Sequence, residues 1–144
     1  MNNDLLIARV AGERIAMAAV EVQSVIELGA IVPVPRAPGI IAGLATQRSR
    51  TLTVIDVALA LDLPARPYPA RFAVVVEIDG VGYALAVDAV EHVLPGEGEV
   101  QPVKMKLSPG WARSAVGMID TAVGTVMLVD LTRLVGIEPQ QKAA

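Results

Sequence analysis

The sequence predicts an all-β protein with a few short helices, arranged as two small barrels of about five strands each. Three observations point there. Short apolar runs are separated by turn signals at close intervals. Aromatic residues make up only 3% of the chain, so Val, Leu, Ile, Ala and Met must fill the core, and β-branched side chains suit a pleated surface. The same succession of runs occurs twice, which suggests two similar subdomains related by a pseudo-two-fold axis.

In the first unit, Leu5 to Val10 reads as a strand, Ala11-Gly12 as a hairpin turn and Glu13 to Ala18 as the return strand. Val22, Val25 and Ile26 recur at helical spacing and predict a short helix. Pro33, Pro35 and Pro38 then break the chain. Gly43 to Thr46 and Thr51 to Ile55 read as strands. Asp56 precedes a short helical stretch, Val57 to Leu61, where its carboxylate would accept orphan amide hydrogens. Ala65-Arg66-Pro67-Tyr68-Pro69 reads as a stiff linker.

The second unit repeats the plan. Phe72 to Ile78 and Val81 to Val87 flank Asp79-Gly80, a pair that accepts positive φ at low cost. Val90, Val93 and Leu94 predict another short helix, and Pro95, Pro102 and Pro109 break the chain after it. Val116 to Asp120 and Gly124 to Val129 read as strands, and Asp130 would cap Leu131 to Val135. Aligned at one offset, Gly12 falls on Gly80, Ala16 on Ala84, Val22 on Val90 and Val25 on Val93. At a second offset, Gly43-Leu44 falls on Gly117-Met118, Leu52 to Val57 on Val126 to Leu131, and Leu61-Asp62-Leu63 on Val135-Gly136-Ile137. The repeat units are therefore placed at about 5–63 and 72–137.

Composition narrows the function. The chain has 144 residues, of which 53% are hydrophobic and 19% charged, and its mean hydropathy is +0.54. A chain this apolar can bury a sizeable core and keep apolar surface for partners. The net charge of −3 and the scattered Lys and Arg argue against a nucleic-acid partner. The absence of cysteine excludes disulfides, thiolate metal sites and cysteine nucleophiles. The first residues lack a basic lead-in, and their apolar run stops at Arg9. Charges or prolines interrupt every later run before it could span a bilayer. These features predict a cytoplasmic protein with no direct membrane insertion.

The chemistry of catalysis is missing from the sequence. His92 is the only histidine and reads as an exposed residue on a short helix, so no metal site is expected. Ser24, Ser49, Ser108 and Ser114 have no other base, and no phosphate-binding glycine motif occurs. Ile119-Asp120-Thr121-Ala122 resembles the loops of aspartic proteases, but the repeat partner of Asp120 is Thr46, so a dyad would lack one acid. No catalytic residue and no cofactor are expected.

Three further features admit two readings, and a fourth admits one. Arg48-Ser49-Arg50 is either a solvated hairpin tip or a displayed contact. Glu97-Gly98-Glu99 reads as a solvated loop. Trp111 either plugs the core or anchors a partner. Met105, Met118 and Met127 fill the core or form an adaptable surface.

The order of these pieces resembles the CheW family of chemotaxis coupling proteins over about residues 4 to 137. The residues that carry the resemblance are Val22-Gln23-Ser24-Val25 and the segment Pro33-Val34-Pro35-Arg36-Ala37-Pro38-Gly39-Ile40-Ile41-Ala42-Gly43. They continue with Thr46-Gln47-Arg48-Ser49 and the strand Leu52-Thr53-Val54-Ile55-Asp56-Val57-Ala58. In the second unit they are Tyr83 to Val90 and Val126 to Leu131. The resemblance implies a single CheW-like domain over 1–144, made of two SH3-like five-stranded barrels about an apolar groove. It implies binding to the regulatory domain of a CheA-type histidine kinase and to the cytoplasmic tip of a methyl-accepting chemoreceptor. Val22, Gly43 and Arg48 would lie on the receptor side, with Ser24 at the position of the family's helix Glu. The sequence departs from the family pattern at Ser24, Thr46, Gln47, Ser49, Thr53 and Ala58, so it reads as a divergent coupling protein. The competing readings are a small-molecule-binding barrel, for which no convergent polar pocket is visible, and a subunit that oligomerises through apolar edges.

Overall fold

The computed structural model describes residues 3–64 and 70–136. The expected linker at 65–69 and the last position of the repeat, Ile137, lie outside the described residues. The strands of the first half are β1 Asp4–Val10, β2 Glu13–Ala18, β3 Val22–Glu27, β4 Ile41–Gln47 and β5 Arg50–Asp56, followed by helix α1 Val57–Ala60. The second half has β6 Phe72–Ile78, β7 Val81–Val87, β8 Ala89–Pro95, β9 Glu97–Gln101, helix α2 Pro109–Ser114, β10 Ala115–Thr121, β11 Gly124–Val129 and helix α3 Leu131–Leu134.

Local sequence explains most elements. The β1–β2 and β6–β7 hairpins turn on two residues with positive φ, Ala11 and Gly12 in one, Asp79 and Gly80 in the other. Such turns match the right-handed twist of the flanking strands. Asp56 accepts from the Leu59 amide at 3.1 Å and Asp130 from the Arg133 amide at 3.0 Å, so each short helix is capped as its sequence predicts.

Two sheets result. Sheet A has the order β8-β1-β2-β11-β10-β9, and sheet B the order β3-β6-β7-β5-β4. Each half of the chain therefore supplies strands to both sheets. The registers correspond at the offsets of the sequence repeat. Ala16 lies opposite Leu128 where β2 runs parallel to β11, and Ala84 lies opposite Val54 where β7 runs parallel to β5. Leu5 faces Leu94 across β1 and β8, and Ala73 faces Ile26 across β6 and β3.

Each sheet has two buried faces. Leu6, Ala8, Ile15 and Met17 of sheet A meet Val74, Val76, Leu85 and Val87 of sheet B in one large core, which α1 and α3 seal with Val57, Leu61, Leu131 and Leu134. The other face of sheet A curls around Leu5, Ile7, Ala16, Ile119 and Val126, and that of sheet B around Leu52, Val54, Val75 and Ala84. The central strands thus read as nearly continuous apolar runs, because they are buried on both sides.

The barrels are looser than expected. Among the described residues no ladder joins β8 to β9 or β3 to β4, so neither sheet closes by strand pairing. The chain itself does the closing. In sheet A it passes through Gly96 from one edge strand, β8, to the other, β9. In sheet B it returns after β3 to form a bridge between Val32 and Leu44, with two amide–carbonyl bonds of 2.8 Å.

Three expectations need correction. The helices expected around Val22 to Ile26 and Val90 to Leu94 are strands, preceded in the first half by a single 3-10 turn at Ala19–Glu21. The cause is a bulge in each. The register skips Gln23 in β3 and Glu91 in β8. An extra residue flips the alternation, so Val22 packs on the large core while Ile26 packs on the opposite face. Spacing that imitates a helix is thereby produced by a bent strand. Glu97-Gly98-Glu99, expected as a loop, begins strand β9, whose residues are all exposed and which among the described residues pairs with β10 alone.

Candidate functional site

The four residues singled out in sequence lie on sheet B, at its two edges. Val22 opens β3 and is half-buried against the large core, and Ser24 is exposed just past the bulge. β3 is an edge strand, so its outer backbone groups face away from the sheet.

Gly43 sits in β4 at a bulge and is buried. Its φ is +150°, and a Cβ there would lie 2.4 Å from the Val32 carbonyl oxygen. It therefore offers a partner no surface of its own; its missing side chain lets the closing segment lie on β4.

Arg48 is exposed at the tip of the β4–β5 hairpin. Both turn residues have positive φ, 52° at Arg48 and 66° at Ser49. Neither is Gly or Asn, so the turn holds two L-residues in a region that costs about 1–2 kcal/mol each. Among the described residues Arg48 makes no hydrogen bond or ion pair.

One side chain brings the two edges together. Arg50 Nη1 donates to Gln23 Oε1 at 2.8 Å, and its Nη2 meets Glu77 Oε1 at 3.1 Å. Gln23 and Glu77, with Val20, Val76, Ile78 and Leu131, line a pocket of about 340 Å³. Val20 and Val25, 74% and 43% exposed, lie on the same strand and its approach. Sequence reasoning missed Gln23, Arg50 and Glu77. The hint was the second arginine of Arg48-Ser49-Arg50, but nothing local names its partners.

A larger cleft of about 720 Å³ opens on sheet A, with Met105, Leu107, Trp111 and Met118 on its walls and Arg9 and Arg14 at its rim. Trp111 and Met118 are half-buried against the large core, Met127 belongs to that core, and Met105 is exposed. Glu91 lies between the two arginines, 2.9 Å from Arg9 Nε and 2.8 Å from Arg14 Nε. Hydrogen bonds from Arg9 and then Arg14 hold its carboxyl below the usual carboxylate range.

Among the described residues no catalytic grouping emerges. His92 is exposed on β8. Asp120 accepts from Thr125 Oγ1 at 2.6 Å, and its counterpart across the repeat is Thr46. Among the described residues no three His, Asp or Glu side chains are grouped to hold a metal, and no helix is long and apolar enough to cross a membrane.

Comparison with known proteins places this architecture. No curated protein matches the sequence. The chain is similar in fold to the scaffolding protein TtCheW from Thermoanaerobacter tengcongensis, with a TM-score of 0.81. The two are 22% identical, over 96% of this chain and 95% of that one. The family model described as the CheW-like domain matches residues 4–136. With that match running from β1 to the end of α3, and with two sheets that share strands from both halves, the chain belongs to the CheW-like family.

Proposed function

We propose that this chain, by its family a non-catalytic chemotaxis coupling adaptor, works in the cytoplasm and joins the regulatory domain of a CheA-type histidine kinase to the cytoplasmic tip of a methyl-accepting chemoreceptor. It acts as one domain over 1–144, with repeat units at about 5–63 and 72–137, because neither half holds all the strands of either sheet. The receptor-side surface carries Val22, Ser24 and Arg48, and Gly43 shapes it from beneath.

The observation that supports this reading is the pairing of exposed apolar residues with a strained, unpartnered arginine. Val20 and Val25 flank the bulge of β3 at one edge of sheet B, and Arg48 stands at the tip of the β4–β5 hairpin, to which Arg50 links that edge. Association then rests on buried apolar contact, with a charge to set orientation. No bond need be made or broken.

Titration calorimetry tests it. The chain binds a receptor cytoplasmic fragment and, separately, the kinase regulatory domain. Arg48→Ala leaves the melting midpoint within about 2 °C of wild type, because an exposed side chain without partners adds little stability. The same substitution weakens the receptor contact. Absence of binding to both partners in the micromolar range refutes the coupling role, and global unfolding of the variant makes Arg48 structural.

A further inference from the structure

Arg50 leaves β5 immediately after the Arg48–Ser49 turn and lies across sheet B. Its guanidinium reaches Glu77 on β6 at 3.1 Å and Gln23 on β3 at 2.8 Å. Gln23 Nε2 closes the triangle on Glu77 Oε1 at 3.4 Å. The path crosses β7 at Gly82, where a Cβ would come within 2.7 Å of Arg50 Nη2 and 2.8 Å of Leu52 Cδ2. Four strands are spanned, and β3 and the β4–β5 hairpin, which share no ladder, become linked. Gln23 is also the residue that the β3 register skips. A bulge disrupts the ladder locally, so the edge strand is held least well between Val22 and Ser24.

We propose that Arg50 is a positioning residue that clamps the bulge of β3 to the β4–β5 hairpin, so that Val22, Ser24 and Arg48 are presented as one rigid surface. The second half of this statement rests on the reading of those residues as the partner-binding face. Three features support the clamp independently of any partner: a planar fork that serves two acceptors on two strands, a bulge residue recruited as one acceptor, and a glycine that clears the way. The side chains of Arg50 and Glu77 are 39% and 46% exposed, so the pair adds little to global stability. Its effect is local order, which the partner reads as a preformed shape.

The experiment compares wild type, Arg50→Ala, Arg50→Lys and Glu77→Gln in the full chain. It measures the melting midpoint, amide exchange along β3 and affinity for a receptor cytoplasmic fragment. Arg50→Ala and Glu77→Gln keep a near wild-type midpoint, exchange the β3 amides about tenfold faster and bind about fivefold more weakly. Arg50→Lys keeps the charge without the fork and recovers only part of the protection. Unchanged exchange along β3 in both Arg50→Ala and Glu77→Gln overturns the clamp, whatever the binding result. Faster exchange with unchanged affinity overturns the positioning role. A wild-type chain that binds no receptor fragment defeats the reading of the surface, while the exchange data still decide the clamp. If Arg50→Ala unfolds the protein, Glu77→Gln supplies the decision by the same criteria.

Discussion

Both sheets hold a bulged edge strand with arginine, but the arginine comes from different strands. In sheet A, Arg9 on β1 and Arg14 on β2 converge on Glu91, the residue skipped in the β8 register. In sheet B, Arg50 on β5 reaches Gln23, the residue skipped in β3, and Glu77 on β6. The positions correspond across the repeat while their chemistry is exchanged. Arg9 matches Glu77, Glu91 matches Gln23, Arg14 matches Gly82 and Arg50 matches Gly124. A bulged edge lacks part of its ladder, so a side-chain clamp is needed there, but the strand that supplies it is free to vary. The choice has consequences. In sheet A the clamp ties β8 to the β1–β2 hairpin and reaches the β10–β11 turn only at a backbone carbonyl, Arg14 Nη1 donating to Val123 O at 3.4 Å. In sheet B it draws in the hairpin that carries Arg48.

The interiors differ in the same manner. Leu5 and Ile119 fill sheet A where Ala73 and Ala45 stand in sheet B. The space left in sheet B is taken by Leu28 and Ile31 from the closing segment. Smaller strand residues in sheet B are thus matched by larger side chains from another segment, as a close-packed interior requires.

The largest expected effect tests whether the two sheets are independent at all. Fragments 1–64 and 70–144, expressed separately, lack cooperative thermal unfolding by circular dichroism, since each must leave central strands unpaired. Mixing them restores a single transition. A cooperative melt from either fragment alone breaks the comparison, because that half then builds a sheet from its own strands.

The next effect sharpens it. Gly43 and Gly117 correspond, and at each a Cβ would press on a neighbouring carbonyl, at 2.4 Å from Val32 O and 2.5 Å from Gln101 O. Only Gly43 has a positive φ, +150°. Gly43→Ala therefore costs about 3 kcal/mol, through overpacking and backbone strain together, and Gly117→Ala costs less. Denaturant titration measures both, and equal losses remove the role of φ.

Smaller still are the helix caps. Asp56→Ala and Asp130→Ala each lower stability by about 1 kcal/mol, and by similar amounts, since the two carboxylates make the same bond to the third residue on. An unchanged melting midpoint in either variant removes that cap.

The smallest effect is acid sensitivity of the sheet A clamp. The folded-state pKa of Glu91 is lowered, so its contribution is present above the ordinary glutamate value of 4.5 and is lost as pH falls through the folded value. Glu91→Gln removes that part of the acid dependence and leaves stability at neutral pH only slightly reduced, as expected for a partly exposed ion pair. Melting curves from neutral pH down to about pH 3 follow it. Identical acid slopes in wild type and variant remove Glu91 from the account.

Legibility of the fold followed the range of the interaction. The hairpin at Asp79-Gly80 and the caps at Asp56 and Asp130 were visible in sequence, because each depends on neighbours a few residues apart. The strand at Val22 to Glu27 was misread, because a bulge at Gln23 replaced the alternation by which strands are recognised. The candidate site divided in the same way. Arg48 could be picked from its hairpin, while the contacts of Arg50 with Gln23 and Glu77 depend on strands that meet only in the folded sheet. Gly43 was named for the surface but is buried under Val32, a closeness that only the returning chain creates.

By itself, the sequence determined the β class, the hairpin turns and the helix caps, all of which follow from local backbone preference and apolar patterning. Tertiary structure alone decided which half supplies which strand of each sheet. An apolar run buried on both faces is equally satisfied beside β5 or beside β11, so its pattern carries no address. The address is set by the shared core, which can close only when strands from both halves pack around it.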